Sequence, residues 1–433
     1  MHIFDTITKA WKVPDIRKKI IFTLLMIVVF RLGSNIPIPG IDRDTLAQAF
    51  TGGGLFEIFN LFSGGAFQNF TIFALSITPY ITASIILNLL TIAVPYLERL
   101  SKEGTDGKKK IVQLTRYLTV ILAFLQAIGL TLGLFRQAVI KNAEGGLDIF
   151  TVIVIIMCLT GGTAFLMWLG EQINEYGIGN GISLIIFAGI ICRAPAAIVT
   201  AFQNYANGQV SLISLILFAL FAVVVIAGTI IVQQGQRRIP VQYAKRVVGR
   251  KMYGGQNTHI PIKVNQAGVI PVIFALSLLQ FPLTITYFMS SDSGFTHFVK
   301  TWLSPSATGG GPGVWVYAVF NIILIMFFTY FYTAVTFNVV EVSDNMRANG
   351  GFIPGIRPGR TTVEYLNRVM TRVTFVGAVF LAVIATIPTL IQAGTNLNIR
   401  FGGTALLIVV GVALDTMKQI ESQMVMRNYK GFL

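Results

Sequence analysis

Three histidines, two cysteines and one lysine-rich glycine loop are the residues of this 433-residue chain from which conventional catalysis would be built. His2, His259 and His297 are scattered, and their spacing makes no metal constellation. Cys158 and Cys192 lie inside apolar runs and read as small buried hydrophobes, not as a disulfide framework. Gly104–Lys110 has the shape of a phosphate-loop tail, but no Ser or Thr follows its lysines to hold a magnesium ion. No H-E-x-x-H occurs, and no apolar stretch holds an Asp pair or a Ser with a His. The chain is therefore expected to be no enzyme and to carry no cofactor, and any driving energy must come from a partner.

The elements that would position a site follow from composition. Hydrophobic residues make up 54% and charged residues 12%, against the roughly 25% charge of a soluble domain. This excludes a disordered chain, a collagen and a disulfide-stapled secreted domain, and argues for a polytopic membrane protein. Ten segments are long and apolar enough to cross about 30 Å of hydrocarbon: 18–36, 71–97, 114–135, 149–170, 180–202, 210–232, 266–288, 315–340, 371–391 and 402–422. Basic residues Lys9, Lys12, Arg17, Lys18 and Lys19 precede the first, and no small-residue cleavage site follows, so it reads as an uncleaved span.

The net charge of +15 has a direction. With the N-terminus inside and ten crossings, inner segments hold 26 Lys and Arg residues and outer ones 7, namely Arg31, Arg43, Arg136, Lys141, Arg193, Lys300 and Arg400. That split is the positive-inside bias, and the reverse orientation would invert it. Inner loop 171–179 is an exception, with Glu171 and Glu175 and no cation.

Two inner loops are too long and basic to be mere connectors. Gln233–Asn265 holds Arg237, Arg238, Lys245, Arg246, Arg250, Lys251 and Lys263, and its extended Val241–Tyr243 stretch suggests a protruding hairpin. Glu341–Arg372 contains Gly350–Gly359, whose glycines and prolines break any helix there. Residue types alone leave two readings open, contact with anionic lipid headgroups and docking of a cytosolic partner.

The interior lacks what solute pathways use. No Asp, Glu, Lys, Arg or His occurs between Ile20 and Phe30, Phe70 and Leu97, Leu118 and Phe135, or Ala267 and Ser291, and Asp415 sits near a span end. The interior does have Ile-Thr-Pro-Tyr-Ile at 77–81 and Ile-Pro-Val-Ile at 270–273, in the second span of each five-span half. Interrupted helices at matched places point to a pseudo-symmetric fold with its working site between the halves. Between Gly52-Gly53-Gly54 and Ser63-Gly64-Gly65 lies an apolar piece, Leu55–Phe62, too short to span. It reads as an amphipathic helix on the outer surface or as a movable stopper in a pore mouth. A small-solute transporter or lipid scramblase would need an intramembrane polar site. A passive anchor would explain the basic loops but not the paired prolines.

The sequence resembles the SecY family, the channel subunits of the general protein-translocation machinery, and is similar to bacterial members over nearly its whole length. The resemblance is carried in order by Gly52–Phe62 with Ser63-Gly64-Gly65, Ile77–Ile85, Gly177–Ser183, His259–Pro271, Phe352–Gly359 and Phe401–Thr404. It implies an all-α polytopic membrane protein of about ten transmembrane helices in two inverted pseudo-symmetric halves. The units are 1–202, then 203–265 with the sixth span and first basic loop, then 266–433 with the loop 341–372. It also implies an apolar pore ring at Ile77, Ile81, Ile182, Ile186, Ile273 and Ile408, which would exclude ions by dewetting. The plug matches 55–67, with Leu55, Phe56, Ile58, Phe59, Leu61 and Phe62 as its apolar residues. A lateral gate between the second and seventh spans takes in Thr82, Asn88, Asn265 and Phe281. Arg246, Arg250 and Arg357 would dock the ribosome or the SecA motor, Arg being suited to bidentate contact with phosphate or carboxylate. SecE and SecG are the implied companions, signal peptides and unfolded polypeptides the cargo, and the bacterial plasma membrane the location, with both termini cytoplasmic. Glu57 and Asn60 make this plug more polar than the family pattern, and Thr78 stands where a more apolar residue is expected.

Overall fold

Each of the ten expected spans is met by a helix. The computed structural model describes residues 8, 10–41, 63–134, 148–208, 211–243, 246–248, 251–253, 257–286, 289, 293–303, 312–395 and 403–430. The spans are α1 (Pro14–Gly33), α2 (Thr78–Ala93), α4 (Thr105–Ile128), α5 (Ile149–Tyr176), α6 (Gly181–Ala206), α7 (Leu212–Gln234), α8 (Ile270–Thr286), α10 (Pro312–Thr336), α12 (Arg360–Thr395) and α13 (Gly403–Lys430). Shorter helices are α3 (Pro95–Lys102), α9 (Gly294–Trp302) and α11 (Val339–Ala348). Six of these helices pass a length and hydropathy test for crossing alone, and α2 passes together with α3, which is turned from it by 99° at Val94. Amphipathic α3 then lies across the end of the span, its Leu97 and Leu100 buried against Ile111 and Leu118 of α4.

The prolines correct one expectation. Pro79 and Pro271 do not interrupt α2 and α8 but stand in their first turns. A missing N–H costs nothing there, because the first helical N–H groups have no partner within the helix. Non-helical chain, 63–77 and 264–269, precedes both helices, so each starts late.

Helix pairing is repeated between the halves. In the first, α2 packs on α4, α4 on α5, α5 on α6, and α1 on α5 and α6. In the second, α8 packs on α10, α10 on α12, α12 on α13, and α7 on α12 and α13. The halves join where α2 meets α8, α6 meets α13 and α7, and α1 meets α13. An odd number of crossings per half inverts the second relative to the first.

The expected hairpin is present. β1 (Gln236–Tyr243) pairs antiparallel with β4 (Asn257–Lys263) from Gln236 opposite Lys263 to Gln242 opposite Asn257. β2 (Arg246–Val248) and β3 (Lys251–Tyr253) pair beyond it. β5 (Gly351–Phe352), from the other basic loop, adds to the free edge of β1. Ile239, Val241 and Ile262 of the hairpin are buried with Met346, Ile353, Leu366 and Met370. At about 1.5–3 kcal/mol per fully buried side chain, this cluster holds the two basic loops as one unit.

Buried threonines of the spans satisfy their hydroxyls within their own helices, as lipid demands. Buried Thr119, Thr163, Thr229, Thr329 and Thr333 each donate their hydroxyl to the carbonyl four residues back, at 2.6–3.1 Å. Asp148 caps α5, accepting from the Phe150 N–H at 3.2 Å and the Thr151 hydroxyl at 2.6 Å. These donors hold its carboxyl below the usual carboxylate range. The Glu171 exception also finds its answer, since α5 runs on to Tyr176 and Arg116 of α4 reaches Glu171 Oε1 at 2.8 Å.

Candidate functional site

The six isoleucines expected to form the ring lie in or against one buried apolar cluster. Ile77, Ile81, Ile186, Ile273 and Ile408 belong to one buried cluster, each at most 6% exposed, and partly buried Ile182 packs against it. Their spacing explains the convergence. Ile77 caps α2 and Ile81 sits four residues on, so both share one face, and Ile182 and Ile186 repeat that spacing on α6. Ile273 lies in the first turn of α8 and Ile408 in the second turn of α13. These helices meet as α2 with α8 and α6 with α13, two of the contacts that join the halves. What an apolar ring of these side chains could do is exclude water.

Of the four gate residues, two lie on α2, one on the facing helix α8 and one in the turn before α8. Thr82 and Asn88 lie on α2, both partly buried, and the Thr82 hydroxyl donates to the Thr78 carbonyl at 3.0 Å. Phe281 is exposed on α8. Asn265 is in the turn before α8, where its Nδ2 donates to the Gly268 carbonyl at 2.9 Å. It lines a cavity with residues of α7, α8, α10 and α13.

Of the plug, Leu55, Phe56, Ile58, Phe59, Leu61 and Phe62 lie outside the described residues, and the structure describes only its C-terminal hinge. That hinge is held by two helices. Arg31 of α1 donates to the Gly64 carbonyl at 3.2 Å, and Arg193 of α6 donates to Gln68 Oε1 at 3.3 Å. Gly64 has φ +63°, and a Cβ on it would stand 2.9 Å from the Gly189 Cα of α6. Arg193, counted with the outer segments, lies inside α6 as the expected span 180–202 also has it. Twenty-six residues make a helix about 39 Å long, which outreaches the hydrocarbon and projects its outer part. Sequence reasoning missed Arg31 and Arg193 as hinge contacts, although both stood out as cations at outer ends.

Of the docking arginines, Arg357 is exposed between β5 and α12, in a turn where its carbonyl accepts from the Thr362 hydroxyl at 2.9 Å. Arg246 is in β2, and Arg250 lies outside the described residues. Pairing of β5 with β1 brings the two basic loops together.

Comparison with known proteins agrees with this fold. A family model described as SecY matches residues 71–417. The protein translocase subunit SecY of Streptomyces galbus is 49% identical over 98% of both chains. Among solved structures, one described as that of a protein conducting channel matches with a TM-score of 0.66 at 20% identity, over 94% of this chain and 93% of the other. Sec61 in the canine ribosome-channel complex from the endoplasmic reticulum matches with a TM-score of 0.60, again at 20% identity, over 94% of this chain and 93% of that one.

Proposed function

The chain belongs to the SecY family, and from that premise we propose how its residues divide the work of a protein-conducting channel. The protein is a multi-pass membrane protein and the channel subunit of a protein translocase. A partner pushes an unfolded polypeptide through it. The isoleucine ring fits around the passing chain and, at rest, keeps ions out by holding a narrow apolar waist. Leu55–Phe67 stops the outer mouth and swings away on the Ser63–Gly65 hinge. An apolar signal sequence parts α2 from α8 and leaves sideways into lipid, Thr82, Asn88 and Phe281 lining its way. The observation that carries this reading is the convergence of the ring residues on helices by which the two halves touch.

The Lys and Arg asymmetry supports placement in a bacterial plasma membrane with both termini cytoplasmic. Arg246, Arg250 and Arg357 then face the cytosol, where they would meet ribosomal phosphate or carboxylates of a SecA motor. The resemblance to a ribosome-bound channel supports the first of these. SecE and SecG would cover exposed helix faces such as Ile213, Leu217, Leu220 and Val224 of α7.

Import into vesicles holding the channel, its companions and the motor tests both levels. Wild type is expected to import a signal-bearing precursor and to refuse one without a signal. Arg357→Glu is expected to cut import about tenfold or more, the loss of one charge-assisted contact, with resting ion leak unchanged. Failure of wild type to import overturns the function, and full import by the variant overturns the docking role.

A further inference from the structure

Below the ring, a polar cleft of about 160 Å³ is built from both ends of the hairpin and from α7, α8, Tyr332 of α10 and α13. Gln233 ends α7, Lys263, Asn265 and Gln266 lead into α8, and Asp415 and Lys418 come from α13. Its polar groups divide into two kinds. The lysines have local partners: Lys418 Nζ donates to the Gln233 carbonyl at 3.2 Å, and Lys263 stands near enough to Asp415 to act on its charge. The carboxamides are only partly paired, Asn265 Nδ2 donating to the Gly268 carbonyl at 2.9 Å and Gln266 Oε1 accepting from the Lys263 N–H at 3.3 Å. Gln233 is 6% exposed and Asn265 5%, yet Gln233 Nε2, Gln233 Oε1 and Asn265 Oδ1 have no hydrogen-bond partner. Native proteins rarely leave such groups unpaired, and removing a partner from one costs about 1–3 kcal/mol. Gly411 of α13 keeps Gln233 in place, for a Cβ there would lie 2.8 Å from Nε2.

Helical spacing places the cleft on the route to the ring. Asp415 follows Ile408 by seven residues, nearly two full turns, so it shares the face of α13 that carries Ile408, about 10 Å nearer the cytoplasm. Ile270, which also lines the cleft, precedes Ile273 by three residues on α8.

We propose that this cleft is a binding site for the main chain of the entering polypeptide, in which Gln233 and Asn265 pair with a peptide group just before the chain meets the isoleucine ring. The proposal rests on the channel reading above. One donor and two acceptors left open match a peptide unit, which offers an N–H and a C=O in every residue but proline. A channel that passes every sequence should not hold side chains, but the peptide group is common to all of them.

A photo-crosslinker at Gln266, in intact complexes carrying stalled secretory chains of unrelated sequence, tests it, with a second crosslinker at Ile186 as reference. The expected result is crosslinking at both sites, equal among the chains. Gln233→Leu should slow import of all substrates by about fivefold, the loss of one to two hydrogen bonds, without loss of assembled complex. Crosslinking at Ile186 but not at Gln266, or unchanged import by Gln233→Leu, would mean that water alone fills the cleft, and would overturn the proposal while leaving the channel reading intact. Silence at both positions would overturn the two together.

Discussion

Replacing Ile81 and Ile408 together with glycine is expected to raise the resting ion conductance of the channel in planar bilayers about tenfold or more. The two side chains come from opposite contacts between the halves, Ile81 from α2 beside α8 and Ile408 from α13 beside α6. Both are nearly fully buried, at 6% and 0% exposure, so no neighbour already exposed to water can take over their role. A dewetted constriction resists ions because water leaves a narrow apolar passage. Two missing side chains widen it and expose backbone, and a barrier lowered by about 1.4 kcal/mol gives a tenfold rate. Conductance equal to wild type, with assembly intact, would remove the ring from these residues.

The second large effect is expected at the plug hinge. Gly64→Val puts a β-branched residue at φ +63°, a left-handed conformation that costs about 1–2 kcal/mol, and drives a Cβ into the Gly189 backbone. The Arg31 bond to the Gly64 carbonyl then loses its geometry as the hinge shifts. The expected outcome is a resting leak raised about fivefold, together with import of precursors whose signals are defective, since less work remains to displace the plug. Gly65→Ala is the comparison. It shares the positive φ, but its Cβ would meet only the Arg193 side chain at 3.9 Å. It should leak less. Equal leak from both variants would trace the effect to backbone strain and remove the contact with Gly189 as its cause.

The sequence made the membrane class, the ten spans and the basic hairpin legible, because composition, hydrophobic run length and the Lys and Arg bias are each averaged over many residues. It was weaker where one short contact decides the structure. Gly351–Phe352 has no strand pattern, yet it completes the sheet by adding to the edge of β1. The prolines of α2 and α8 read as interruptions, because a run of apolar letters does not show where a helix begins. The ring positions came from resemblance, since an isoleucine in an apolar span carries no mark of which way it faces, and their burial together became visible only when the four helices were assembled. Asn265 shows the converse. The resemblance set it at the gate, and the sequence could not show that its side chain bonds Gly268 and lines the cleft. Gln233 drew no attention at all, because an orphaned amide is a property of its surroundings and not of its letter.

A site-specific photo-crosslink from Ile81 to a stalled secretory nascent chain, in membranes holding the intact complex, tests the central claim most directly. The channel reading predicts a crosslink to the chain that disappears when the signal sequence is deleted. The contrary result is no crosslink from Ile81, Ile186 or Ile408 with the complex shown to be assembled, which would mean that polypeptide does not pass between these helices.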